Sequence, residues 1–219
     1  MRVWPGRILG AGLCLLVLAA CTEEKAVTVA GPAAFENPAF DGDGALTGVR
    51  GISAADWALV DGDFRRALFW QLFLEKLTDR CRLLFPEHDA WLTEFAGVVH
   101  RGTGAAVDQG LLFERARLGK LGEGGKHAIV GLDAMRAASM DVEGLLILWY
   151  GDYGPRDLDR RTALVAGCDL LIGGSGRRDM LRTIAAPLQV FYDRIRTEMP
   201  EVYRTATDVD ALFRRLGSI

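Results

Sequence analysis

Residues 64–85 read FRRALFWQLFLEKLTDRCRLLF. Within them Trp70, Leu74, Leu77, Cys81 and Leu84 recur at alternating steps of four and three, the spacing that lines apolar side chains along one face of an α-helix. Pro86 brings no N–H and a fixed φ, so the spacing predicts a long helix that stops there. Just upstream, Ser53 and Asp56 offer an N-terminal cap for the start of the helical region.

The same reading extends downstream. Trp91, Leu92, Phe95 and Val98 or Val99 mark a second, shorter helix, ended by a break at Gly102 to Gly104. Leu111, Leu112 and Arg115 mark a third that runs to about Leu121, with Gly122, Gly124 and Gly125 as the loop after it. Residues 145–150 are a continuous apolar run that suits a buried strand or a helix. Helix is favoured: Asp141 can cap it, Glu143 falls in its first turn, and Val142, Leu145, Leu146, Trp149 and Tyr150 fit helical spacing. Gly154 and Pro155 reset the chain, and residues 157–172 give another helix with Leu164, Cys168 and Leu171 on one face. A glycine-rich break at 173–176 precedes a helix over 178–198, bent at Pro187, with Pro200 just beyond. Thr207 and Asp210 cap a last short helix closed by Gly217.

The expected fold is therefore all-α, a single globular helical domain of about six to eight helices over residues 53–219, with antiparallel neighbours where loops are short. No internal repeat is present. Residues 21–52 are rich in Ala, Gly, Pro and Thr, and Gly31-Pro32, Asn37-Pro38 and Asp41-Gly42-Asp43-Gly44 interrupt any period, which predicts a flexible tether. The Asp-Gly run is not a calcium loop, because Ala45 and Ile52 stand where an EF-hand needs oxygen ligands.

The 219 residues, half of them hydrophobic, carry a formal charge of −3. Arginines occur singly or in pairs such as Arg160-Arg161 and Arg214-Arg215, with no run that would track phosphates, so nucleic acid is not expected as a partner. The charge is distributed differently at the N-terminus. Residues 1–7 hold Arg2 and Arg7 and no acid, and an apolar run follows from Ile8 to Leu18. It is shorter than the roughly 20 residues of a spanning helix and ends in small residues before a polar stretch, as secretory signals do.

The segment Leu18-Ala19-Ala20-Cys21 resembles the lipobox of bacterial lipoproteins. That resemblance covers about the first 22 residues. It implies a signal peptide at 1–20, cleavage before Cys21, and diacylglyceryl attachment to the Cys21 thiol, usually with acylation of the new amino terminus. Cys14 fits poorly, since bulky Leu13 precedes it. Two or three buried chains hold a protein stably on a membrane, so the expected partner is the membrane itself, reached through covalent lipid. Thr22 stands where many inner-membrane lipoproteins carry Asp. By resemblance, this favours a periplasm-facing anchor in the outer membrane over the inner one. Loss of Arg2 and Arg7 with the signal takes the formal charge from −3 to −5.

The mature region shows no motif that names a reaction, and no catalytic residue, metal ligand or cofactor is assigned from it. Gly173-Gly174-Ser175-Gly176 leads into Arg177 where a nucleophile elbow needs glycine. Lys120 and His127 spoil a phosphate loop around Gly122 to Lys126. His88, His100 and His127 lack a second ligand at zinc-protease spacing. Glu75, Glu114 and Glu143 lie on predicted helices, as the acid of a lytic transglycosylase would, but no Glu is followed by Ser as in those enzymes.

Two features remain. Trp149, Tyr150 and Tyr153 cluster where a helix end meets a loop, and they form either a recognition surface or part of the core. Cys81 and Cys168 both fall on apolar stripes; export would favour their pairing, while two separate buried thiols are the alternative. Three functions follow from different classes: a non-catalytic envelope lipoprotein that binds a partner protein or aids an assembly, a cell-wall hydrolase, and a carrier of a small apolar ligand. The first is preferred, because tethering explains the strongest signal in the chain.

Overall fold

The computed structural model describes residues 39–40, 46–48, 53–137, 140–151, 159–174 and 176–203. Its framework is helical. In chain order come α1 (Ala54–Ala58), α2 (Gly62–Leu84), α3 (Asp89–Val99), α4 (Ala105–Leu118), α5 (Gly122–Ala137), α6 (Val142–Gly151), α7 (Arg160–Ile172), α8 (Arg177–Glu198) and α9 (Pro200–Tyr203). The signal segment, Cys21 and the short helix expected at 207–217 lie outside the described residues.

The long apolar segment forms α2, and Pro86 ends it by opening a 3-10 turn at Pro86–His88. Phe64, Ala67, Leu68, Phe69, Phe73, Leu74, Leu77 and Cys81 are all buried, a face broader than the stripe the sequence suggests. The breadth follows from position, for α2 packs against α3, α4, α7 and α8. A helix enclosed on several sides is apolar over most of its circumference. The α2–α8 contact carries a ring pair, Phe64 with Phe191 at 4.9 Å between centroids. On α8 the buried stripe is Ile184, Leu188, Phe191, Tyr192 and Ile195, and Pro187 lies inside the helix as the sequence suggests.

Caps follow the expected chemistry. Ser53 Oγ accepts from the Asp56 N–H at 3.0 Å, and Asp159 caps α7 by accepting from the Thr162 N–H at 3.0 Å. The 145–150 run is helix, as α6, with Asp141 accepting from the Gly144 N–H at 3.1 Å.

Two expectations are corrected. The break at Gly102 to Gly104 is a π-helical turn, His100–Gly104, that carries the chain from α3 into α4 with Gly102, Thr103 and Gly104 buried. The loop expected at Gly122 to Gly125 is the start of α5. Gly122 has φ +71°, and a Cβ on Gly125 would collide with the Leu118 carbonyl oxygen, so these glycines permit a tight entry into a helix rather than a loop. Within the stretch read as a tether, five residues are described. Ala39–Phe40 (β1) and Leu46–Gly48 (β2) pair antiparallel, Ala39 opposite Gly48 and Phe40 opposite Leu46, with β2 against α1 and α2.

Cys81 of α2 and Cys168 of α7 are joined by a disulfide, with Cα atoms 5.4 Å apart and a sequence separation of 87. Both cysteines are fully buried. The bond ties the far end of α2 to α7, as one of the two sequence readings anticipates.

Candidate functional site

Trp149 and Tyr150 lie on α6, and Tyr153 falls outside the described residues, so the aromatic cluster remains a sequence expectation. The carboxylates expected on helices are placed more fully. Glu143 is held by two ion pairs, with Arg80 at 3.6 Å and Arg160 at 3.9 Å. Glu114 and Glu75 belong to two separate polar clusters, both set against α2.

The first cluster is at the N-terminal end of α2. Glu114 is 0 % exposed. Its Oε1 accepts from the Asp61 N–H at 2.7 Å and from Arg117 Nη2 at 2.6 Å, while Oε2 accepts from Arg117 Nε at 2.9 Å. Arg117 also donates to the Leu59 carbonyl. Asp61 caps α2 through the N–H groups of Asp63 and Phe64, both at 3.0 Å, and receives Arg194 of α8 at 2.6 Å. Arg194 reaches Asp63 as well, at 2.6 Å. The hydrogen bond that Arg117 donates to Glu114 raises the Arg117 pKa above its ordinary value against the opposing effect of burial. For Arg194, burial acts downward and the bonds to Asp63 and Asp61 outweigh it, so its pKa is also raised. Both oxygens of Glu114 are engaged, so this carboxylate has no free face from which to deliver a proton to a substrate.

The second cluster lines a cleft of about 180 Å³ formed by α2, the π-turn, α4 and α5. Leu68, Leu72 and Val107 supply its apolar wall, and Gln71, Glu75, His100, Asp108 and Arg136 its polar groups. Gln71 is 2 % exposed. Its Nε2 donates to Glu75 Oε1 at 2.9 Å, and its Oε1 is buried with no hydrogen-bond partner. An ionised carboxylate only accepts, so the amide must turn its NH₂ to Glu75 and its oxygen away. At the rim Arg136 donates to Asp108 at 2.8 Å. Gly104 makes the approach possible, since a Cβ there would stand 3.3 Å from both Gln71 Nε2 and His100 Nδ1. π-Helical turns concentrate at functional sites because they re-aim side chains at the cost of regular hydrogen bonding.

The remaining histidine contact does not make a triad. His127 Nδ1 lies 3.3 Å from Asp56 Oδ2, and Ser53 Oγ donates to the same oxygen at 2.6 Å. In a nucleophilic triad the histidine must sit between serine and carboxylate, whereas here the carboxylate is central. Among the described residues no three His, Cys, Asp or Glu side chains gather as a metal site. No family model matches the chain, and neither a curated protein nor a solved structure matches it.

The cleft residues were not singled out together by the sequence. A signal was available in Gln71, a polar side chain set in the otherwise apolar run 67–74. A polar group in the buried stripe of a helix is the informative exception to apolar patterning.

Proposed function

We propose that this chain is a lipid-anchored bacterial envelope protein, attached through Cys21 and facing the periplasm, whose helical domain is a non-catalytic binding module for a partner in the envelope. The lipobox at Leu18 to Cys21 carries the reading. Two further observations support it. The Cys81–Cys168 disulfide suits an oxidising compartment. No described helix is long and apolar enough to cross a membrane, and two or three acyl chains on Cys21 would hold the chain there without one.

Glu114, the fully buried carboxylate that a hydrolase reading would look to, is engaged by Arg117 and the Asp61 N–H, which favours binding over bond cleavage. Thr22 favours the outer membrane over the inner one. Metabolic labelling with a fatty-acid probe tests the anchoring: the wild-type chain takes up label and Cys21→Ser does not. An unlabelled wild-type chain in the soluble periplasmic fraction would overturn it. Crosslinking in intact cells then identifies the partner.

A further inference from the structure

The cleft at the π-turn carries a more specific inference, independent of whether Cys21 is lipidated. Its floor holds a buried carboxamide whose oxygen accepts from nothing, and a buried acceptor left unpaired gives up the hydration it loses on folding. Native proteins rarely keep such a group without a use for it. The charges around it are Glu75, Asp108 and Arg136, and Arg136 is spent on Asp108. What is left over is the negative charge of Glu75 beside the Gln71 carboxamide. Glu75 presents oxygen to a visitor, the Gln71 oxygen becomes available when its amide turns, and the wall next to them is Leu68, Leu72 and Val107. At about 180 Å³ the space is below the roughly 300–1,000 Å³ of pockets for drug-sized ligands.

We propose that this cleft binds a small organic cation, an ammonium or guanidinium group on a short apolar stem, with the head received by Gln71 and Glu75 and the stem against Leu68, Leu72 and Val107. Head-group donors match the oxygens on offer, and positive charge matches Glu75. An anion would meet the Glu75 carboxylate, and an uncharged apolar molecule would leave the Gln71 oxygen as unpaired as before. The terminal torsion of a glutamine is broad, so Gln71 can turn its oxygen toward an entering donor; the turn gives up the bond to Glu75, and the cation between the two oxygens replaces it. Gly104 keeps the entrance clear, and His100, Asp108 and Arg136 lie exposed at the rim.

The test is a titration of the isotope-labelled full chain in detergent micelles, with nuclear magnetic resonance readout at the Gln71 side-chain amide and the His100 ring. The probes are n-butylammonium and n-butylguanidinium, with butyrate and butanol as controls. At least one cation is expected to give a saturable shift at both residues, with neither control doing so. Gln71→Met, which keeps the volume and removes the acceptor, is expected to weaken that binding at least tenfold, and Glu75→Gln likewise. Thermal unfolding confirms that each variant folds. Should Gln71→Met not fold, the half-buried Glu75 gives the deciding variant. No saturable shift with either cation, an equal response to butanol, or undiminished binding in Glu75→Gln would overturn the proposal.

Discussion

Two polar clusters rest against the same helix and are completed in opposite ways. At the start of α2, Glu114, Arg117, Asp61 and Arg194 form a network in which both oxygens of the buried carboxylate are taken by groups from this chain. Further along the helix, Gln71 and Glu75 share one hydrogen bond and the Gln71 oxygen is left over. A satisfied network fixes the helices it joins, here α2, α4 and α8. An incomplete one gives up stability at a place where something else can complete it. The contrast separates structural from functional polarity without any motif.

The largest effect bounds the comparison from outside, at the far end of α2. Reduction of the Cys81–Cys168 bond releases a loop of 87 residues in sequence separation, and loop-closure entropy puts the loss on the order of 4 kcal/mol. Urea unfolding of oxidised and reduced chain measures it. Alkylation of the denatured, unreduced protein should label neither cysteine.

Within the network, Glu114→Ala leaves Arg117 and the Asp61 N–H without their shared acceptor and should cost about 3 kcal/mol or more. A loss below about 1 kcal/mol in the same unfolding measurement would break the comparison. Gln71→Met sharpens it from the other side. It discards an amide that is only half used, and the unfolding free energy should stay within about 1 kcal/mol of wild type.

The smallest effect is at the junction of α6 and α7, where Asp141 caps α6 and pairs with Arg160. Burial pushes the Asp141 pKa up, and hydrogen bonds from Arg160 and the Gly144 N–H outweigh it, leaving the folded value below the ordinary one. The stabilisation is therefore complete above the unfolded carboxyl value, about 3.9, and is lost as pH falls through the lower folded value. Asp141→Asn should lower stability modestly above that window, where the carboxylate contributes, and converge on wild type below it, so that the acid limb of a stability-against-pH curve flattens.

The sequence made the helical framework legible wherever apolar period and punctuation agreed, as in α2 up to Pro86, or α7 up to the glycine break that begins at Gly173. It misled where glycine served packing. Gly125 lies inside α5 because the Leu118 carbonyl leaves no room for a Cβ, and Gly104 lies in a continuous helical path because Gln71 and His100 close on it. Glycine there marks close approach of neighbours, which local propensity cannot distinguish from a loop. The disulfide was half legible: both cysteines lay on apolar stripes, and only the packing of α2 on α7 brings them together. The cleft was least legible, since Gln71, His100, Asp108 and Arg136 come from four elements and meet only in the folded chain.

The anchored state is tested most directly by the intact mass of the chain extracted from membranes in detergent. The account predicts a polypeptide that begins at Cys21, heavier than residues 21–219 by a diacylglyceryl group and usually a further acyl chain, with the Cys81–Cys168 bond intact. A chain that keeps residues 1–20, or one that begins elsewhere and carries no lipid, would contradict it.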